Sequence, residues 1–384
     1  MKIIQSEHTI TTNLYSVSAL LYFVSIALIT QTTSQVASIL FYCAMMMCVA
    51  LQIRAHDRIP PIIWVASFIA AALGVLNILF VGNLSWLKLF ILLMSFYVAV
   101  FFMDERVSPD AFKYALYLNI AIVLFRMICF GFSSKVYVES SNNYVSIYII
   151  VPAVLYYIKC EGENCKVTLL PMIIAWILSF FAGGRAGLIC CTILLAGLVI
   201  KYYFGEKFAK REKLVLITVV ALAIVVLGIL SVPLLEKYFS DFRVVQRFFE
   251  MGITSNSRLV GWGEYMDSLS NPKYFLLGSD IKNLKWATRF DGNIHNSFLF
   301  VHAYFGIIAV GFMAFFIINA FIFGFKNKRT VFLLCLLVFL VRAMTDHMFG
   351  ANRLSAAFLA LIMYPAVYDW RVRTGSNQQL QEKR

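Results

Sequence analysis

Five cations stand where an apolar chain ordinarily avoids them. Lys88, Arg126, Arg185, Arg342 and Arg353 lie inside or at the ends of long hydrophobic runs. A charge in hydrocarbon is costly and marks a functional site by default. Arginine suits phosphate, because its planar guanidinium donates paired hydrogen bonds. Acids that could neutralise these cations are few, with Asp346 and Glu139 the nearest. An excess of cations at one depth is the chemistry of an anion site, and the diphosphate of a lipid-linked substrate is such an anion. The competing description is five side chains that reach separately to lipid headgroups. Lys88, near a helix end, fits that description best.

Further candidates lie in and beside the one long hydrophilic stretch. Asn256-Ser257 offers an N-cap for a helix whose apolar stripe is Leu259, Trp262, Met266 and Leu269. Arg258 then falls in the first turn, where the helix dipole opposes a cation, and shares a different face with Gly261 and Tyr265. His295 immediately precedes Asn296, which can cap the next apolar helix. Histidine moves protons near neutral pH, although an interfacial histidine would occupy the same position. Around Arg185 the chain reads Phe181-Ala182-Gly183-Gly184-Arg185-Ala186-Gly187. Its glycines permit a tight turn that aims helix-start N–H groups at an anion, or a plain hairpin turn. Cys160 and Cys165 form a C-x4-C pair without further ligands nearby, so no metal site is expected.

These residues must be positioned by membrane helices. The chain has 384 residues, of which 61% are hydrophobic and 14% charged. A soluble domain carries roughly 25% charged residues, so this composition excludes a water-soluble globule, and its apolar content excludes disorder. The net charge of +13 is read as a topology signal rather than as a nucleic-acid footprint. An all-α polytopic integral membrane protein of about twelve spans is predicted, taking about 20 apolar residues per crossing. The spans are roughly 14–31, 35–53, 60–80, 84–102, 112–132, 144–158, 168–183, 186–204, 213–235, 296–324, 330–349 and 351–369. The tenth is long enough to begin above the membrane. The organisation is therefore 1–235 for spans one to nine, 236–295 for a large outer loop with short amphipathic helices, and 296–384 for spans ten to twelve and a tail.

With both termini in the cytoplasm, nearly all Lys and Arg of the short loops fall inside, leaving Lys135, Arg185 and Arg353 outside. The first span is expected to act as an uncleaved anchor. No cysteine falls in the outer loop, where an oxidising compartment would pair it. On this topology Lys88, Arg126, Arg185, Arg342 and Arg353 all occupy the outer half of the membrane. The absence of internal repeats disfavours a transporter or flippase.

Three segments taken together resemble the O-antigen ligase/polymerase superfamily of bacterial membrane glycosyltransferases. They are Gly184-Arg185-Ala186-Gly187, Ser257-Arg258 with Trp262, and His295-Asn296, with Pro272 and Gly278 between the last two. The resemblance covers roughly 180–310 in motif and the whole chain in topology. Where the family has a second turn glycine, this chain has Ser279-Asp280. The resemblance implies a GT-C-like, metal-independent glycosyltransferase without a cofactor, working at the periplasmic face of the bacterial inner membrane. It further implies undecaprenyl-diphosphate-linked oligosaccharide as substrate, membrane lipid as surroundings, a chain-length-regulating co-polymerase as a possible partner, and no nucleic acid. Arg185 and Arg258 would hold the diphosphate, with Arg126, Arg342, Arg353, Lys88 and Asn296 as further binding residues. His295 would be the base or would orient the acceptor hydroxyl. Glu139-Ser140-Ser141-Asn142-Asn143-Tyr144-Val145-Ser146 and the Gly-Arg-Ala-Gly turn are similar to polymerases, which extend a lipid-linked glycan onto a new repeat unit. The ligase, which transfers glycan to lipid A-core, is the alternative, and a lipid-linked oligosaccharide flippase is a more distant one.

Overall fold

The computed structural model describes residues 2–55, 59–131, 136–137, 142–163, 165–182, 184–204, 256–289 and 293–382. Among these residues every regular element is helical and there is no strand. The long helices are α1 (Lys2–Gln31), α2 (Gln35–Arg54), α3 (Pro61–Phe80), α4 (Trp86–Met103), α5 (Pro109–Phe130), α6 (Val145–Glu163), α7 (Leu170–Phe181) and α8 (Arg185–Val199). Then follow α9 (Asn256–Ser268), three short pieces that include α10 (Pro272–Leu277) and α11 (Lys285–Thr288), α12 (Ser297–Lys326), α13 (Thr330–Ala343) and α14 (Ser355–Glu382). Eight of the described helices are long and apolar enough to cross a membrane, and α7 and α13 are shorter apolar helices. The protein is thus an all-α membrane-embedded protein. The expected ninth span, 213–235, and the amphipathic helix expected over 236–252 lie outside the described residues, as do Lys135 and Glu139.

Local sequence sets the helix starts. Ser34, Ser85 and Ser108 accept hydrogen bonds from the first turns of α2, α4 and α5, and Pro61 and Pro109 sit at first positions where a missing N–H costs nothing. Phe68, Ile128 and Phe325 are about three-quarters exposed and face the lipid. The core instead gathers around α6, in which Val145 to Cys160 are almost all buried. Helices α5, α7, α8 and α13 pack against α6, while α4 is flanked by α2, α3 and α14. Ser146 at one end of α6 and Lys159 at the other reach the two polar clusters of the bundle.

Two elements depart from the sequence expectation. The eleventh span was expected over 330–349, but α13 ends at Ala343. The following connection is fixed by its own polar groups: the Thr345 hydroxyl donates to the Arg342 carbonyl, and Asp346 accepts the His347 N–H. Met344, Met348 and Phe349 continue the apolar run without continuing the helix. The tenth span is broken at Gly306, whose φ of 72° and ψ of −173° separate a short arm, Ser297–Phe305, from the longer membrane helix. A side chain at Gly306 would strike the Leu276 carbonyl, so the break lets α10 dock backbone to backbone. Asn77 secures that docking by donating to the carbonyls of Leu277 and Ala303 at 2.8 and 2.9 Å, and Asn83 donates to those of Ser279 and Ala303. The α10 segment is therefore tied to the α3–α4 hairpin.

Candidate anion-binding site

Three chain segments, separated by up to about two hundred residues, meet at one end of the bundle. The first is the start of α6. Asn143 and Ser146 face the end of α13, where Arg342 is 2% exposed. Arg342 donates to the Asn143 carbonyl at 2.8 Å, to the Thr345 hydroxyl at 2.9 Å and to the Asp346 carboxylate at 3.3 Å, with a longer contact to Ser146 Oγ at 3.4 Å. The start of α8 packs on the same place. Gly187 lies against Ser146, where a Cβ would collide with the serine side chain, and Gly184 lies against Asn143. The close approach brings Arg185, the first residue of α8, to this end of the bundle.

The second segment is α9, whose expected apolar stripe is half buried: Trp262 and Leu269 pack against the core. Leu259 and Met266, assigned to the apolar stripe, are 51% and 53% exposed. The face carrying Arg258, Gly261 and Tyr265 also packs inward. Gly261 lies flat against Trp286, and Tyr265 is buried with its hydroxyl 2.6 Å from His302 Nδ1. Glu264 receives the N–H groups of Lys285 and Trp286 and so fixes α11 beneath α9. Arg258 is directed towards the α13–α14 connection, where it donates to the Thr345 carbonyl at 2.9 Å. Burial pushes the Arg258 guanidinium below its ordinary range; Asp346 opposes that shift, while Arg342 and Arg185 reinforce it. Arg258 thus lies within electrostatic reach of Asp346, of Arg342 and of Arg185.

The third segment carries His295. Its backbone has φ of 51°, uncommon for a residue with a side chain. The conformation is held by Asn293, which accepts the His295 N–H at 2.8 Å, and by Trp262, which donates to the Ile294 carbonyl at 3.1 Å. The outcome is that His295 Nδ1 faces Asp346 Oδ1 at 3.4 Å. Asp346 is 1% exposed. Burial alone would raise its carboxyl, but the His295 hydrogen bond and the Arg342 guanidinium outweigh burial and hold it well below the usual carboxylate range. Ser297 ties the arrangement together, donating to the Asp346 carbonyl and accepting the Met348 N–H, each at 2.7 Å.

The residues singled out from the sequence therefore separate into groups. His295, Arg258, Arg185 and Arg342 converge. Asn296 adjoins them as the cap of α12, its side-chain oxygen accepting the N–H groups of Phe298 and Leu299. Arg342, expected to bind substrate, has its guanidinium engaged by neighbouring protein groups instead. Arg126 donates to the Val136 carbonyl at 3.2 Å and lies over Phe130, and Arg353 lies over Phe41, beside Tyr22, which donates to its carbonyl. Lys88 donates to the Tyr304 hydroxyl at 3.1 Å on another side of the α12 arm. Asp346, noted only as a nearby acid, proves to be the centre of the cluster.

In chemical terms the site holds three guanidiniums and one carboxylate, counted among the described residues, so positive charge exceeds negative. Arg342 and Asp346 compensate each other at the bottom, whereas Arg185 and Arg258 lie nearer the surface. That arrangement favours an anion bound against the outer two arginines. The histidine beside it has one ring nitrogen directed at a buried carboxylate, which orients the other for proton transfer. Among the described residues no group of three or more His, Cys, Asp or Glu is placed to hold a metal ion. No protein-family model matches this sequence, and no curated protein matches it.

Proposed function

We propose that the protein is a membrane glycosyltransferase of the O-antigen polymerase kind, which moves a growing glycan from undecaprenyl diphosphate onto a new undecaprenyl-diphosphate-linked repeat unit. The observation that carries this reading is the convergence of Arg185 and Arg258 on the His295–Asp346 pair. In the reaction, the acceptor hydroxyl oxygen attacks the anomeric carbon as the bond from that carbon to the diphosphate oxygen breaks. The bonding electrons leave with the diphosphate. Arg185 and Arg258 stabilise the charge that develops there, which preorganised donors do best in a water-poor site. The hydroxyl proton passes to His295 Nε2, while Asp346 faces the opposite ring nitrogen and holds the ring in place. Arg342 acts through Asp346, keeping the buried carboxylate charged and in place.

The proposed topology has twelve spans with both termini cytoplasmic in the bacterial inner membrane, and the site opens to the periplasm. A co-polymerase that sets chain length is the proposed protein partner. The test is a lipopolysaccharide gel of a strain lacking the gene, complemented with wild type, Arg258→Gln or His295→Ala. Core bearing a single repeat unit in the null strain and in both variants, with the variant proteins present in the membrane, supports the polymerase. Bare core in the null strain replaces it with the ligase, and a normal ladder from both variants removes the catalytic assignment.

A further inference from the structure

Helix α12 packs against both α3 and α14, and the three leave a cavity between them at the end of the bundle away from His295. The run of each helix fixes that place. Asn77, near the end of α3, holds the α10 segment; α12 starts beside His295; and α14 follows the connection that carries Asp346. The cavity instead takes Pro61 from the start of α3, Lys326 from the end of α12 and Arg373 from far along α14. Its volume is about 530 Å³, within the roughly 300–1,000 Å³ of small-molecule sites. None of its lining residues belongs to the anion site described above.

The lining changes character along α12. Lys326 and Arg373 are exposed at the helix ends, and among the described residues the side chain of neither forms a hydrogen bond or an ion pair. Asp369 is the only acid of the lining, so positive charge exceeds negative there. Asn319 also lines the cavity, seven residues before Lys326 and therefore about 10 Å deeper at the helical rise. Its amide has no hydrogen-bond partner among the described residues. Such an amide in an apolar helix is costly until a ligand atom satisfies it. Phe315 lies one turn deeper still. Phe315 and Ile322 are each 56% exposed, so the apolar side of the cavity reaches the lipid-facing surface.

We infer that this cavity binds one anionic glycerophospholipid. Its phosphate meets Lys326 and Arg373, an ester carbonyl accepts from the Asn319 amide, and an acyl chain lies along Phe315. Cations, amide and apolar wall follow one another in the order of phosphate, ester and chain in such a lipid. A zwitterionic lipid brings its own ammonium to a site already in positive excess and is disfavoured. Basic pockets between membrane helices on the cytoplasmic side take anionic head groups in this way. The assignment to the cytoplasmic leaflet rests on the topology proposed above. The binding does not, because it depends only on groups at one end of three helices. The lipid would join α3, α12 and α14 at the end opposite the reaction site, as a structural ligand rather than a substrate.

The experiment is native mass spectrometry of the purified full chain, titrated with dioleoylphosphatidylglycerol, with dioleoylphosphatidylcholine and with inorganic phosphate. Wild type is expected to hold one phosphatidylglycerol about tenfold more tightly than phosphatidylcholine, the worth of one charge-assisted contact. Lys326→Gln combined with Arg373→Gln should abolish that preference. Asn319→Leu should weaken both lipids alike, since both carry the ester. Ala366→Phe, which fills the cavity without touching its charges, should remove the bound lipid. Lys328→Gln, an exposed cation nearby that does not line the cavity, should change nothing. Equal affinity of wild type for the two lipids overturns the anionic head group. A loss in Lys328→Gln as large as in the double variant, or a lipid retained by Ala366→Phe, overturns the site. Displacement of phosphatidylglycerol by inorganic phosphate makes the ligand a free anion and overturns the lipid. None of these outcomes alters the lipopolysaccharide gel, so failure here is separate from failure of the proposed function.

Discussion

At the end of the bundle away from His295, the buried Asp104 carboxylate accepts two hydrogen bonds from Arg106, both at 2.8 Å, with Arg371 close by at 3.8 Å. Lys159 bridges the Asp104 carbonyl and Glu163, and Glu161 accepts the first N–H groups of α13 while its own carbonyl receives Arg329. Each of these acids has a partner that ties one helix end to another. At the His295 end the same residue types are present, but one aspartate faces Arg342 and His295, with Arg258 and Arg185 as further cations beside them. The cluster around Asp104 acts as a set of struts. The cluster around Asp346 would gain from an added anion, because a like-charged group of guanidiniums is relieved when a negative ligand enters. What separates a structural charge cluster from a binding one is thus its balance, since both clusters are buried and hydrogen-bonded.

That contrast can be broken most severely at the two aspartates. Asp346→Asn keeps the shape but removes the charge that faces and orients His295. Turnover measured on purified protein should fall by roughly 10²–10⁴-fold, the range for losing a positioned base, while the membrane level of the protein drops far less. Asp104→Asn should do the reverse, lowering the amount of folded protein and leaving turnover per folded molecule close to wild type. Equal losses of turnover in the two variants would erase the distinction. Next in size is Arg342→Met, which leaves Asp346 buried without its cation. Breaking such a pair costs about 3–5 kcal/mol, so both yield and turnover should fall. Arg342→Lys, with its single donor group, should restore yield more than turnover.

Counting residues along a helix assigns an expected depth but not a direction around the bundle. Hydrophobic runs and loop charges placed Lys88, Arg126, Arg342 and Arg353 at similar heights, because height follows from counting residues along a helix. The direction in which a side chain points depends on which neighbours surround each helix, and that is set by packing. Consequently Arg126 and Arg353, read as part of one anion site, are placed at other faces, and Arg342 turns inward to Asp346. The pairing of His295 with Asp346 spans the whole of α12 and α13, and no local pattern announces it. Of the stripe on α9, Trp262 and Leu269 pack against the core and Leu259 and Met266 do not, for a related reason. An apolar face is buried in a water-soluble fold, but beside a membrane Leu259 and Met266 can stay exposed while Arg258 turns to the site. The Gly184-Arg185-Ala186-Gly187 turn and the Asn296 cap were legible because backbone geometry alone decides them.

A subtler test of the contrast lies in that turn. Gly187→Ala adds one methyl group against Ser146, which touches both Asn143 and Arg342. Overpacking of this kind costs about 1–3 kcal/mol. The displaced α8 start should carry Arg185 away from Arg258, so the concentration of lipid substrate needed for half-maximal rate should rise more than turnover falls. Gly197→Ala, which meets the flexible tip of Leu334 elsewhere on α8, is the control that should leave substrate affinity unchanged. A shift of the same size in both variants would mean that α8 responds as a whole and that the turn has no special role.

The smallest expected effect is a dependence on pH that belongs to one end only. Burial lowers His347 from an ordinary 6.5 to about 4, with Lys88 and His295 acting in the same direction and the Gly350 carbonyl and Asp346 against it. The folded protein therefore keeps this ring neutral where the unfolded chain would protonate it. Its contribution to stability is intact above about pH 6.5 and is lost progressively as pH falls towards 4. At the other end, burial would raise Asp104, but the Arg106 hydrogen bond and Arg371 lower it below the ordinary carboxylate value, so its contribution is lost only under more acidic conditions. His347→Gln keeps a donor for the Gly350 carbonyl and removes the titration. The difference in thermal midpoint between wild type and this variant should shrink as pH falls from 7 to 4.5. Asp104→Asn should keep a constant difference from wild type over that interval. A constant difference for His347→Gln would mean that the ring is not held neutral by the fold, and the acid response of the two ends would then be the same.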